Sequence, residues 1–257
     1  MSSYENMIFE VKDEIAIITI NHPPANTWNL ATLEEFEHIV SAVEDNKSIR
    51  VAIIAGGGEK CFSAGFDVTD ADNSSIISTK TRKLWRNIDC FTKPVIAAIN
   101  GHAMGGGLEL AMSCHFRIMT DSPGTMIGLT ELNLGIIPGW GGTQRLPRLV
   151  GRAKALEMIL FSKRITAVEA LEIGLINHKS ASGSLMDDAF ALAGKLAERP
   201  PIAVRCVLEA FSAGLYKGLD QGLKVEAKGS ATVRETEDRQ EGFAAFLEKR
   251  KPHFRGR

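Results

Sequence analysis

Three consecutive glycines, Gly105, Gly106 and Gly107, separate an apolar run of strand character from one of helical character. Glycine at such a junction lets the backbone come close to a ligand, and the start of the following helix presents free N–H groups, so the segment outlines an anion or oxyanion site. The same residues also describe a tight helix start packed on its strand. Their spacing does not fit G-x-G-x-x-G, a P-loop or G-x-S-x-G, which argues against dinucleotide, nucleotide and serine-hydrolase chemistry. Glu109 follows within the first helical turn, where the macrodipole favours a carboxylate, and taken singly it reads as an ordinary N-terminal charge. Glu131 lies in Leu129-Thr130-Glu131-Leu132, and a carboxylate among apolar neighbours is costly unless it has a partner or a task. Two such carboxylates beside an oxyanion site suit paired general acid and base work. Gly65, in Phe62-Ser63-Ala64-Gly65-Phe66-Asp67, is a second glycine turn after a buried-type strand, suited to offering another exposed N–H.

These residues need elements to hold them. Met7 to Lys12 and Ile15 to Asn21 are apolar, β-branched runs joined by Asp13-Glu14, and they read as a hairpin. Thr32 and Glu35 have capping-box spacing ahead of Leu33, Phe36, Ile39, Val40 and Val43, an apolar stripe at helical period. Arg50 to Ala55 predicts a buried strand ended by Gly56-Gly57-Gly58, and a loop from Cys61 to Asp67 leads through polar Thr69 to Ser78 into a helix over Lys80 to Ile88. Pro94 to Ile99 predicts a third strand, Leu108 to Cys114 a helix and Phe116 to Thr120 a fourth strand.

Beyond Gly142 helix signals dominate. They predict helices over Arg152 to Ser162 and, behind the capping box Thr166-x-x-Glu169 and before the stop at Gly174, over Ala167 to Ile173. A short strand is expected near Ile176, then helices over Ser184 to Glu198, Ile202 to Ala213, Leu219 to Thr232 and Glu237 to Arg250. Pro200-Pro201 is the sharpest boundary, so the reading is an α/β body at 1–199 and a helical appendage at 200–257.

Composition narrows the functions such a body could serve. The chain has 257 residues, 44% hydrophobic and 24% charged, which is enough to build a sizeable core and far from the signature of disorder. Its 30 Lys and Arg against 31 Asp and Glu give a net charge of −1, so no global field draws in nucleic acid or an anionic membrane. The four cysteines are scattered without a CxxC pair and the six histidines lack H-x-x-x-H spacing, so neither a metal site nor a disulfide framework is expected. The longest apolar stretches fall far short of the ~18 residues that span a bilayer. With neither a secretory nor a mitochondrial address visible at the N-terminus, a cytoplasmic location is expected.

Five segments occur in an order that carries further meaning: Pro24-Ala25-Asn26-Thr27-Trp28-Asn29, Cys61 to Asp67, Asn100-Gly101-His102-Ala103-Met104-Gly105-Gly106-Gly107-Leu108-Glu109, Thr130 to Gly135 with Pro138 to Leu146, and Phe246 to Pro252. With these the chain resembles the enoyl-CoA hydratase/isomerase, or crotonase, family along nearly all its length. The resemblance implies a crotonase-like spiral of ββα units with a C-terminal helical trimerisation region, assembled as a homotrimer or as a hexamer, a dimer of trimers. It also implies an acyl-CoA thioester as substrate, with no cofactor beyond the coenzyme A that is part of it. By position, the N–H groups of Phe66 and Gly106 would hold the thioester oxygen, Glu109 would activate water, Glu131 would supply the C2 proton, and Ala25, Ala64, Asp67 and Val68 would line the CoA arm. Phe66 stands where Ala is frequent in the family and Trp140 where a small residue is common, and both departures bear on substrate size.

The leading expectation is therefore a hydratase. An isomerase shifting the double bond would need proton transfer at two carbons but no water, and a non-catalytic, RNA-binding member is disfavoured by the near-neutral charge. Arg82 and Arg86 flank Trp85 at i, i+4 and read first as a solvated face, although a place near the acyl pocket would let them meet a second substrate carboxylate. The basic run Lys249 to Arg255 reads as a solvated helix end before a phosphate contact, and His102 reads as structural.

Overall fold

Apolar runs without alternation, such as Ile15 to Ile20, require a sheet covered on both faces. The computed structural model, which describes residues 4–257, contains such a sheet. Strands β1 (Met7–Lys12) and β2 (Ile15–Ile20) form the expected hairpin, followed by the short β3 (Thr27–Trp28) and helix α1 (Leu30–Asp45). Next come β4 (Val51–Gly56), β5 (Cys61–Ser63), β6 (Gly65–Phe66), a 3₁₀ segment at Val68–Asn73 and α2 (Ser74–Asp89). The pattern repeats in β7 (Val95–Ile99), β8 (His102–Met104) and α3 (Gly106–Ser113). It repeats again in β9 (Phe116–Thr120), β10 (Ile127–Gly128), a 3₁₀ turn at Glu131–Leu134 and α4 (Gly142–Val150). Then follow α5 (Arg152–Leu160), β11 (Arg164–Ile165), α6 (Ala167–Glu172), β12 (His178–Ser180) and α7 (Leu185–Ala197).

The main sheet has the order β1-β2-β4-β7-β9-β12 and is parallel except for the opening hairpin. Beside it runs a smaller sheet, β11-β10-β8-β5, while β3 pairs with β6. Each turn of the spiral thus places one strand in the main sheet and one short strand beside it before its helix. Strand periodicity divides the core: Ile18, Ile20, Ile54, Ala97 and Ile99 face Trp28, Phe36 and Trp85, whereas Ile17, Val51, Ile53, Ile96 and Ala98 face Leu185, Ala189 and Ala193 of α7. A register slip of one residue would exchange the two sets.

Helices α8 (Pro201–Lys217) and α9 (Leu219–Arg234) form a hairpin, and α10 (Glu237–Leu247) follows. The hairpin closes tightly: a Cβ on Gly222 would lie 2.7 Å from the Gly214 Cα. The last residues return to the body, where Arg50 donates to the carbonyls of Ala197 and Phe254 at 2.9 and 3.1 Å. Phe211, Leu219, Phe246 and Leu247 remain exposed.

Several elements differ from the sequence expectation. The α1 cap is Asn29, whose side chain accepts from the Thr32 N–H, so Thr32 and Glu35 form no capping box; Glu35 instead accepts from the Glu5 and Asn6 N–H groups and pins the N-terminal segment. Helix α2 begins at Ser74, and α4, absent from the expectation, forms although Pro147 lies inside it. The strand expected near Ile176 lies at His178–Ser180. The Thr166/Glu169 capping box is present, and all four cysteines are free thiols.

Candidate active site

Strand β6 passes directly over the first turn of α3. A Cβ on Gly65 would lie 2.8 Å from the Gly106 nitrogen and 3.0 Å from the Met104 carbonyl oxygen, and Gly65 takes φ +87°. Only a residue without a side chain can hold that approach. The Phe66 N–H follows at once along β6, and the Gly106 N–H, first of its helix, has no acceptor among the described residues. Two backbone segments distant in sequence are thereby in contact where an oxyanion would need both donors.

An aromatic wall closes one side. The Trp140 indole lies on Gly106 so closely that a Cβ there would fall 2.2 Å from the ring. Phe66 and Trp85 both meet Trp140 edge-on, with centroids at 6.4 and 6.0 Å, and Trp28 continues the row beyond Trp85 at 5.0 Å. The two positions where this chain departs from the family pattern are therefore neighbours in space.

Glu109 belongs to the first turn of α3, yet another helix holds its carboxylate. Its Oε1 accepts from the Trp140 N–H at 2.8 Å and from the Gly142 N–H at 2.6 Å, at the opening of α4, where the dipole favours negative charge. Oε2 has no hydrogen-bond partner among the described residues. Burial pushes the carboxyl up to about 7; the Gly142 N–H opposes this, the nearby Glu131 charge adds to it, and the Trp140 N–H and the Arg145 guanidinium oppose it. The result is an acid that titrates near neutrality.

Glu131 stands on the 3₁₀ turn after β10, and its carboxyl faces Gly105, where a Cβ would lie 3.2 Å from Oε1. Both of its oxygens are buried without a hydrogen-bond partner among the described residues. Desolvation raises its pKa, favouring the neutral acid.

The remaining predicted residues cluster along β3 and β6. The Ala64 N–H donates to the Ala25 carbonyl at 2.9 Å, Asp67 accepts from the Thr27 hydroxyl at 3.0 Å, and Val68 is exposed at the start of the 3₁₀ segment. The Thr69 hydroxyl, donating to Asp67, holds that carboxyl below its usual range. His102 accepts from the Met126 N–H, a structural role. Arg86 stacks on Tyr216 at 3.7 Å, and Arg82, on the exposed face, donates to the Ser78 hydroxyl. In the basic tail Arg250 pairs with Glu241 and Glu248, and Lys251 with Glu198. Sequence reasoning missed the Trp140 and Gly142 N–H groups and the buried Arg145 and part-buried Asp89 behind them. The one available signal was an arginine and a glutamine inside the apolar-flanked run Gly142-Thr143-Gln144-Arg145-Leu146.

Comparison with known proteins gives a consistent picture. The family model described as Enoyl-CoA hydratase/isomerase matches residues 10–257. The chain is 43% identical to a probable enoyl-CoA hydratase of Bacillus subtilis, covering 94% of this chain and 95% of that one. It is 40% identical to the crotonyl-CoA hydratase of Syntrophomonas wolfei, covering 98% of each. Among solved structures, an enoyl-CoA hydratase from Bacillus anthracis superposes with a TM-score of 0.94 at 40% identity, over 98% of this chain and 100% of that one.

Proposed function

The chain belongs to the enoyl-CoA hydratase/isomerase family, and from that premise we propose that it is an enoyl-CoA hydratase, a hydro-lyase acting on the C2=C3 bond of an α,β-unsaturated acyl-CoA thioester. The observation that carries this reading is the contrast between two neighbouring carboxyl groups. Glu109 is anchored through one oxygen with the other free, and Glu131 has both oxygens buried and unpaired.

Addition of water places negative charge on the thioester oxygen, which the Phe66 and Gly106 N–H groups would hold as the enolate forms. Ionised Glu109 would orient a water through Oε2 and take its proton as the hydroxyl attacks C3, and neutral Glu131 would deliver a proton to C2. The cycle closes when the proton on Glu109 returns to Glu131 directly or through solvent. Isomerisation needs no water, so it would leave the anchored base at Glu109 without a task. Backbone groups around Ala25, Ala64, Asp67 and Val68 would take the CoA arm, with coenzyme A entering as part of the substrate and no other cofactor. Trp140, crowded against Gly106, and Phe66, edge-on to it, favour a short acyl group, and the likeness to a crotonyl-CoA hydratase makes crotonyl-CoA the first probe.

Exposed Phe211, Leu219, Phe246 and Leu247 on α8–α10 support a homotrimer or a hexamer built as a dimer of trimers, since a lone chain does not ordinarily leave such a face in water. A monomer by sedimentation at micromolar concentration would remove that part of the reading. Nucleic acid and membrane partners are not part of the proposal; no helix among the described residues is long and apolar enough to cross a membrane. A cytoplasmic setting is.

The deciding experiment follows loss of the conjugated thioester absorbance with short, branched, aromatic and carboxylated enoyl-CoA substrates. Hydration of at least one is expected. Failure with all, together with conversion of a 3-enoyl-CoA to its 2-isomer, would transfer the site to isomerase chemistry.

A further inference from the structure

Behind the turn that holds Glu109 lies a buried ion pair which the chemistry above does not use. Arg145, on the first turn of α4, donates from Nη1 to the Trp140 carbonyl at 3.0 Å and from Nε to Asp89 Oδ2 at 3.1 Å. The two side chains are 10% and 15% exposed. The guanidinium lies directly under Gly141: a Cβ there would fall 2.0 Å from Nη1, and Gly141 has φ +112°. One face of the Trp140–Gly142 turn therefore donates two N–H groups to Glu109, while its carbonyl face is fastened to Arg145. Asp89, the last residue of α2, is fixed in turn from α8, where the Tyr216 hydroxyl donates to its carboxylate and the Ser212 hydroxyl to its carbonyl.

We propose that Arg145 and Asp89 are positioning residues for the general base: the pair locks the Trp140–Gly142 turn so that both N–H groups stay aimed at Glu109 and hold it in the ionised form the hydration needs. The inference rests on the hydratase reading for its kinetic consequences, and on geometry alone for the state of Glu109. A fork is what the task requires, because guanidinium can reach a carboxylate and a carbonyl at once in fixed directions, whereas an ammonium is a single point of charge. Buried charges with separate partners on two helices and one turn form a rigid connection.

The charged and titratable groups around the pair do not supply the same function. Glu131, when ionised, opposes the ionisation of Glu109. Arg86 stacks on Tyr216 and lies 3.7 Å from Asp89 on its outer side. Burial pushes the Cys114 thiol up to about 12 and the His115 imidazole down to about 4, so both are neutral at pH 7. Arg117 is engaged by the carbonyls of Leu175, Ala111 and Cys114. Among the described residues, only Arg145 links a positive charge to the turn that holds the base.

The test compares Arg145→Met, Arg145→Lys and the double variant Asp89→Asn/Arg145→Met with the wild-type chain. The double variant removes both buried charges and leaves an acceptor for Tyr216, so it guards against a single variant that fails to fold. Two quantities are read: the titration midpoint of Glu109 by carboxyl NMR on glutamate-labelled protein, assigned with Glu109→Gln, and the pH dependence of kcat with crotonyl-CoA. In Arg145→Met and in the double variant the Glu109 midpoint should move upward, the acid limb of kcat should move the same way, and kcat should fall by roughly 10–10²-fold with KM within about twofold. Arg145→Lys, which keeps the charge without the fork, should bring the midpoint back towards wild type while kcat stays low. Folded variants with the wild-type midpoint and acid limb overturn the proposal, even if their stability is reduced. A wild-type chain that hydrates nothing overturns the hydratase reading instead, and the NMR titration still decides whether the pair governs Glu109.

Discussion

The walls around Glu109 and Glu131 are built in opposite ways. Around Glu109 every element supplies a polar group: two N–H groups from the opening of α4, a nearby guanidinium, and a turn braced from α2. Around Glu131 no other element among the described residues does, and its oxygens face a glycine. Burial raises both carboxyls; at Glu109 the Gly142 and Trp140 N–H groups and the Arg145 charge return part of that cost to the charged form, whereas at Glu131 only the backbone of its own turn does. One residue type thus stands in two settings, and in the proposed chemistry the anchored carboxyl works as the base and the unanchored one as the acid.

Separate removal of each group tests this contrast most severely. Glu109→Gln keeps the shape but removes the base, and hydration of the best substrate should fall by ~10²–10⁴-fold; an unchanged rate would take water activation away from Glu109. The second measurement follows exchange of the C2 proton of a saturated acyl-CoA with deuterated solvent. Glu131→Gln should lose the exchange and Glu109→Gln should retain it, while the reverse pattern would swap the assignments.

Titration sharpens the same contrast. In the proposed chemistry Glu109 acts ionised, and its carboxyl is pushed up to about 7, so kcat should decline as pH drops below that value, approaching about tenfold per unit. A kcat that stays level down to pH 5 would contradict the base assignment. The smallest effect is on stability. The folded chain binds the Glu109 proton more tightly than an unfolded chain, whose glutamates titrate near 4.5, so this contribution is present at low pH and is lost as pH rises through about 7. Glu109→Gln should therefore gain in melting temperature over wild type on going from pH 4.5 to pH 8, by ~2–4 °C for each kcal/mol recovered. Equal differences at both pH values would mean that the two N–H groups fully offset burial.

Much of this was legible in the chain. The opening hairpin, the alternation of strand and helix, the Thr166/Glu169 cap and the helix break at Pro200-Pro201 follow from patterns local to a few residues. Glu131 could be singled out because its neighbours are apolar. Other features were illegible for a common reason: their partners lie far away in sequence. Thr32 and Glu35 have the spacing of a capping box, but Asn29 takes the cap and Glu35 is drawn to the backbone of Glu5 and Asn6. Arg86 on an exposed-looking face is spent on Tyr216, 130 residues later by the difference of their numbers. Replacing Gly106 with proline, the natural way to delete its N–H from the sequence viewpoint, would drive a side chain into Trp140 and measure packing instead.

The sequence alone determined which elements form, which faces of them are apolar, and which residue types stand in the order of a known family. Those properties depend on neighbours along the chain and on the two periods of backbone structure. It did not determine that Glu109, in the first turn of α3, would be held by the start of α4, nor that a buried arginine and an aspartate from α2 would fasten the turn between them. Tertiary structure decided that, because the free energy of a carboxyl depends on the N–H groups, charges and water within a few ångströms of it. Here those groups come from segments more than thirty residues apart.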